Sequence, residues 1–233
     1  MTRIAIMQPT YLPWSGYFAM MQTVEVFVFL DNVQFARRSW QQRNRIKTKE
    51  GPIWLTVPVN SSGMRDQLIS DVVIDNSSDF VRKHRRAIDL NYSRAEYFQA
   101  FGSDLLEDTE SHKSLSELNI ALIRRMAEKL KINVAFLRSS SLQATGTKAD
   151  LLASICEELD ANVYVSPPGS YTYLSESNAF KARNIPIQYF EYREIQYKQQ
   201  YQLFLPQLSV VDVLLNCGPE ASEIIARGIG ASE

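Results

Sequence analysis

An apolar run, Ile4-Ala5-Ile6-Met7, opens the chain and stops at Gln8, where a loop holding Pro9 and Pro13 begins. A run of that length bounded by proline reads as a buried strand over residues 3 to 8. Ser15 then stands as a helix cap ahead of Tyr17, Met20, Met21 and Val24, whose spacing puts them on one helical face. The stretch EVFVFLDNVQF supplies a second strand, ending at Asp31. Strand, loop, helix and strand in that order seed a parallel sheet.

The pattern changes at QRNRIKTKEGPIWLTVPV, where two extended runs meet at Lys49, Glu50 and Gly51 as in an antiparallel hairpin over residues 43 to 58. Strict alternation places Arg43, Arg45 and Lys47 on one face of it. Residues 61 to 76 are polar and irregular, and 80 to 130 read as a mostly helical insertion. Within it Ser114 and Glu117 form a capping box before Leu115, Leu118, Leu122 and Met126. Alternation resumes with NVAFLRSS as a strand, TKADLLASICEEL as a helix with Leu151, Leu152, Ile155 and Leu159 in its apolar stripe, and NVYV as a strand entering SPPGS. IPIQYFEY adds a late strand, and SVVDVLL and PEASEIIAR close the chain as helices. The expectation is a single α/β domain, residues 1 to 233, built on a mainly parallel Rossmann-like sheet.

Composition narrows the partners. With 25 basic and 26 acidic residues the net charge is -1, so no global field recruits DNA. The two cysteines, Cys156 and Cys217, stand far apart and match no metal-ligand spacing, which predicts neither a disulfide framework nor a zinc site. No segment reaches the roughly 20 apolar residues of a membrane helix, and the amino terminus lacks the apolar core of a signal peptide. A cytoplasmic protein that does not insert into membranes is expected, with no metal.

Ligands of open α/β sheets bind beyond the carboxyl ends of the strands, so the loops there hold the candidate chemistry. In QPTYLPWSG the prolines stiffen the backbone, Gln8 and Thr10 are polar at a strand end, and Tyr11 and Trp14 offer flat faces to a sugar or base. A buried core corner would use the same aromatics. Arg37, Arg38, Arg43, Arg45, Lys47 and Lys49 follow Asp31 and Gln34, with Asn44 among them. Arginine forks suit phosphate or carboxylate, whereas a solvated hairpin face needs no ligand. Asp31 can orient a hydroxyl or amine, or cap the next turn. His84, between Lys83 and Arg85, is either a neutral proton acceptor or a structural helix residue. TGTKADLL lacks the spaced glycines of a phosphate loop and reads by default as a helix capped by Thr147, yet Lys148 in the first turn can reach an anion. Ser170 and Tyr173 lie in the stiff SPPGSYTYL turn.

The stretches IAIMQPTYLPWSGYF, VFLDNVQFARRSWQQRNRIKT, WLTVPV, RKHRRAIDLNYSRAEYF, LNIALIR, GTKADLL and LPQLSVVDVLLNCGPEAS, in that order, resemble the WbqC-like protein family over nearly the whole chain. The resemblance implies a place in bacterial surface-polysaccharide biosynthesis, notably O-antigen formation, with a nucleotide-linked amino sugar as substrate. VSPPGSYTYL departs from the family's more usual LSGP turn, and YKQ replaces a commoner YPQ. By architecture the start is also similar to the nucleotidyltransferase and pantothenate-synthetase (HUP-like) superfamily. Its His-x-Gly-His element would fall on Trp14-Ser15-Gly16-Tyr17, with the glycine kept and both histidines aromatic.

The leading expectation is a transferase moving an acyl or aminoacyl group to the sugar's amine. His84 or Asp31 would take the proton, Arg38, Asn44 or Arg45 would bind the diphosphate, and Tyr11 or Trp14 would pack on base or sugar. The activated acyl or aminoacyl donor would be a co-substrate; RNA would enter only as aminoacyl-tRNA. An ATP-dependent ligase or nucleotidyltransferase, and a noncatalytic sugar-nucleotide-binding protein of a biosynthetic complex, are the alternatives.

Overall fold

A computed structural model of the protein describes residues 1–107, 109–201 and 203–230. Its centre is a parallel five-stranded sheet. The first unit is β1 (Arg3–Met7), α1 (Ser15–Met21) and β2 (Val26–Phe29). The hairpin β3 (Arg43–Thr48) and β4 (Gly51–Thr56) leaves the sheet, and α2 (Phe80–Tyr92), α3 (Phe98–Phe101) and α4 (Leu115–Lys129) follow. The chain returns through β5 (Ala135–Arg138), α5 (Ala149–Glu158), β6 (Val163–Ser166), α6 (Tyr171–Ser175), α7 (Ala179–Ala182) and β7 (Ile187–Tyr189). Helices α8 (Val210–Cys217) and α9 (Ala221–Ala226) end it.

Strand order is β5-β2-β1-β6-β7, with Ile4 beside Val26 and Tyr164, and Val26 beside Ala135. The strands are apolar on both faces because each face is covered. Ala5, Phe27, Phe29 and Val165 pack with residues of α1, α4, α8 and α9. Ile4, Ile6, Val28 and Tyr164 pack on the other side with residues of α5 and α7. The order reverses at β1, whose neighbours β2 and β6 are reached in opposite directions, so the carboxyl ends of β1 and β6 frame a topological switch point.

Two helix starts differ from the sequence expectation. Trp14, extended at φ -78° and ψ 168°, occupies the cap position of α1 without a side-chain bond. Ser15 is the first helical residue and is buried. Helix α5 starts at Ala149 with Lys148, not Thr147, in the cap position. Ser114 does cap α4, accepting from the Glu117 N–H at 3.4 Å.

The hairpin docks on α2 and α8 through a buried polar cluster. Lys47, expected beside the exposed arginines, is 2 % exposed; its ammonium donates to Gln199 Oε1 at 2.9 Å and to the Leu203 carbonyl. The Lys47 N–H donates to the Tyr92 hydroxyl, which donates to Asp212 at 2.6 Å, and Tyr197 donates to the same carboxylate at 2.9 Å. Burial raises the Asp212 carboxyl above its ordinary value, opposed by these hydroxyls and by Lys47.

Asp31 is a second clamp. It is fully buried and receives Arg138 Nε at 2.7 Å, the Ser140 N–H at 2.9 Å and the Ser140 hydroxyl at 2.9 Å, with Ser139 Oγ at 3.1 Å. These bonds tie the turn after β2 to the turn after β5. Asp31→Ala would strand several donors at once, while the third-exposed Arg138 side chain can turn to water. The expected loss is about 2–4 kcal/mol of unfolding free energy, read from urea denaturation. A loss below about half a kcal/mol would mean that the clamp is not stabilising.

Candidate functional site

Three cavities open along the carboxyl edge of the sheet. The largest, about 660 Å³, is lined by Gln8, Leu30, Asn32, Gln34, Gly146, Thr147, Lys148, Leu152 and Tyr173 among others. A second, of about 250 Å³, shares Gln8, Leu30, Leu152 and Tyr173 and adds Met7, Thr10 and Pro167. A third, about 310 Å³, shares Met7 and Thr10 and is walled by Pro13, Trp14, Tyr17 and Trp40, with Asn44 and Gln207. The shared residues make one crevice with a polar end at β1, β2, β6 and α5 and an aromatic end between the first loop and the hairpin.

The polar end takes its residues from strand termini. Gln8 follows β1 directly, and its carbonyl accepts from the Tyr17 hydroxyl at 3.0 Å. Its side-chain oxygen accepts from Gln41 Nε2 at 2.8 Å. Gln34 donates to the Arg65 carbonyl at 2.9 Å. Gly146, Thr147 and Lys148 lead into α5, where unpaired N–H groups and the helix dipole favour an anion. Lys148 holds φ 51° and ψ -123°, a region that strains any residue with a Cβ; Gly218 holds nearly the same angles, φ 51° and ψ -121°. The Tyr173 phenol is raised above its ordinary value, chiefly by burial.

The aromatic end depends on a glycine. A Cβ on Gly16 would overlap the Trp14 ring, so only glycine lets that indole lie across the first turn of α1. Trp14 is also held edge-on by Tyr192, with ring centroids 5.4 Å apart. Asn44 donates to the Leu12 carbonyl at 2.7 Å, fixing the hairpin against the first loop. Arg45 sits behind this wall, donating to the Gln207 carbonyl at 3.3 Å with its guanidinium 5.8 Å from the Trp40 ring.

The crevice therefore collects Gln8, Thr10, Gln34, Lys148 and Tyr173 at its polar end and Trp14 and Asn44 at its aromatic end. The other candidates lie elsewhere. Tyr11 is fully buried, and its hydroxyl meets His84 Nδ1 at 2.9 Å. The imidazole also hydrogen-bonds the Thr56 backbone. His84, expected as a proton acceptor, thus sits buried in the core with its Nδ1 engaged by Tyr11, and burial above all lowers its pKa to about 4. Asp31, the other expected base, spends its oxygens on the turn after β5. Ser170 is buried, paired with Ser166 and donating to the Pro167 carbonyl at 2.6 Å. Arg38 is exposed at φ 56° and lines none of the three cavities.

Asn32 and Gln207 of the crevice, and Asp212 with its partners Tyr92 and Tyr197, have no place among the sequence candidates. The one readable signal was Asp212 itself, an acid inside the apolar run SVVDVLL, because a carboxylate on a buried face requires partners. No group of acidic, cysteine or histidine residues suited to a metal ion occurs among the described residues. No described helix is long and apolar enough to cross a membrane.

Residues 8–224 match the model of the WbqC-like protein family. An uncharacterized protein of Mycobacterium tuberculosis strain H37Rv is 35% identical over 228 residues, spanning 97% of this chain and 98% of that protein. No solved structure matches the chain significantly.

Two outcomes test the placement of these side chains. His84 has a folded pKa of about 4 against an ordinary 6.5, so between those values the unfolded chain binds the additional proton. Its contribution is complete above pH 6.5 and is lost as pH falls toward 4, up to about 3 kcal/mol. Urea unfolding between about pH 7 and pH 4.5 should show that slope, and His84→Phe should flatten it; an unchanged slope would place the proton elsewhere. Gly16→Ala should displace Trp14, shift its fluorescence and cost about 1–3 kcal/mol through overpacking; a silent substitution would show that the indole is free to move.

Proposed function

The chain belongs to the WbqC-like protein family, and from that premise we propose that it binds a nucleotide-linked amino sugar of surface-polysaccharide precursor biosynthesis and presents the sugar's amine to an activated acyl or aminoacyl donor. The observation that carries this reading is the joining of two unlike cavities at Met7 and Thr10. Two substrates of different polarity need such a pair of neighbouring compartments. Gly146, Thr147 and Lys148 suit the diphosphate at the polar end. Trp14, Tyr17 and Trp40 suit a flat or apolar part of the donor at the other.

In the proposed reaction the amine nitrogen attacks the acyl carbon of an ester or thioester, forming a C–N bond and a tetrahedral oxyanion. Its collapse breaks the bond to the alkoxide or thiolate, which leaves with the proton that the amine gives up. No carboxylate or imidazole is found among the described residues lining the three cavities. Rate enhancement then comes from positioning two bound groups and from donors to the oxyanion, and turnover should rise with pH through the titration of the sugar's own amine. The same lack of a base favours a second reading, a sugar-nucleotide-binding protein without turnover. Mass spectrometry of mixtures of UDP-amino sugar with acyl thioesters or aminoacyl-tRNA separates the two, because only the first forms an amide product.

Lys148 supplies the binding test. Lys148→Gly relieves the strained backbone and should raise ligand-free stability by about 1 kcal/mol, while removing the cation at the mouth of α5. A UDP-sugar at about 100 times its dissociation constant should stabilise the wild type by about 2.7 kcal/mol, and the variant by clearly less. Equal ligand stabilisation in both would move the diphosphate away from α5.

A further inference from the structure

Two glutamines line the polar cavity, and each is oriented by a backbone group that can play one part only. The oxygen and nitrogen of an amide are assigned by their partners. The Ala36 N–H can only donate, so the Gln41 atom 2.9 Å from it is the oxygen. The NH2 of Gln41 therefore faces Gln8, and the Gln8 atom 2.8 Å away is Oε1. That leaves the Gln8 NH2, at the end of β1, as a donor with no partner among the described residues. Gln34 is turned the opposite way. The Arg65 carbonyl can only accept, so the Gln34 atom 2.9 Å from it is the NH2, which also approaches Asp66 Oδ1 at 3.4 Å. Its oxygen is the group left over. Both side chains line the polar cavity and are exposed, and each leaves one amide group without a protein partner among the described residues: a donor on Gln8 and an acceptor on Gln34.

We propose that this pair recognises a secondary amide, the N-acyl group of an acylated amino sugar, whose carbonyl accepts from Gln8 and whose N–H donates to Gln34. A sugar hydroxyl can serve either side chain singly, but an amide supplies an acceptor and a donor in one planar unit. The inference rests on the sugar-nucleotide reading for the identity of the occupant. It adds to that reading that the nucleotide sugar carries an N-acyl group besides the amine to be acylated, and that Gln41, which touches no ligand, is a positioning residue. The N–H and carbonyl of a uracil ring carry the same chemistry, so the test separates the two sources.

The experiment is calorimetric titration of UDP-N-acetylglucosamine, UDP-glucose and UDP into the wild type, Gln8→Met, Gln34→Met, Gln41→Glu and the double variant Gln8→Met/Gln41→Glu. In Gln41→Glu the new carboxylate would accept from both the Ala36 N–H and Gln8, turning the Gln8 NH2 inward and its carbonyl toward the cavity. Each single variant should weaken UDP-N-acetylglucosamine by about tenfold and UDP-glucose by less than about twofold. The double variant should be no weaker than Gln8→Met alone, because Gln41 acts only through Gln8. Equal losses for UDP-glucose and UDP would assign the pair to the uracil ring and overturn the N-acyl assignment. Unchanged or additive losses would overturn it too, while leaving the sugar-nucleotide reading in place. Binding of none of the three probes by the wild type would overturn both. Side-chain amide NMR of the ligand-free protein reads orientation independently: Gln41 NH2 protons should exchange slowly with water and those of Gln8 quickly, with Gln8 becoming protected in Gln41→Glu. The reverse pattern would overturn the inference whatever binds.

Discussion

The side-chain nitrogen of Asn119 donates to the Pro9 carbonyl at 3.1 Å and to the Gln41 carbonyl at 2.7 Å, and the geometry of the crevice depends on those two bonds. Asn119 is fully buried on α4. It joins the loop after β1 to the turn before the hairpin, the two segments that carry the polar and aromatic walls. A loop with two prolines has carbonyls to satisfy and few N–H groups of its own to do so. Its acceptors are met from outside: Gln8 by Tyr17, Leu12 by Asn44, and Pro13 by the Val210 N–H at 2.8 Å. The Tyr11 N–H in turn donates to the Trp40 carbonyl at 3.0 Å. Several elements thus hold one loop, and Gln8 and Thr10 are presented from a rigid support rather than a mobile turn.

Much of this was legible in the chain. The strands and α5 follow from short apolar runs and a clear apolar stripe, because local pattern decides burial on a sheet covered on both faces. Gln8, Thr10, Gln34 and Lys148, which line the crevice, follow a related rule: each is polar in a loop after a strand or at a helix start, where the fold class places ligands. His84 and Asp31 answered the same description and went elsewhere. What distinguishes them is partners remote in sequence, Tyr11 at a separation of 73 residues and Arg138 at 107. A polar residue at a strand end can be satisfied by a ligand or by another segment of the protein, and residue type alone does not choose between them. The helix caps failed on a smaller scale. Trp14 takes the cap position of α1 and Ser15 is already inside the helix, so the small polar residue that local preference favours as a cap stands one position late.

The first loop shows how one sequence can serve two readings at once. Tyr11 and Trp14 looked interchangeable as stacking surfaces, yet Tyr11 is sealed in the core against His84 while Trp14, three residues on, faces the crevice. Gly16 separates their fates, since it alone gives the Trp14 ring room over α1. Trp14 and Tyr17 therefore bring aromatic rings, not imidazoles, to the wall of the cavity at the start of α1.

A crevice without a carboxylate or imidazole among its described lining residues is better equipped to hold molecules than to move protons. On the proposed reading that is sufficient. An activated ester or thioester supplies its own leaving group, and a neutral amine needs only to be brought within reach and its oxyanion met by a fixed donor. The Gln8 amide, turned outward by Gln41 and supported by a loop that Asn119 pins, has its direction set before any ligand arrives. Preorganisation of this kind costs stability in the strained Lys148 backbone and in the unpartnered oxygen of Asn119. Those costs fall at the crevice and its support, where a protein under selection only for stability would have placed a glycine and a satisfied side chain.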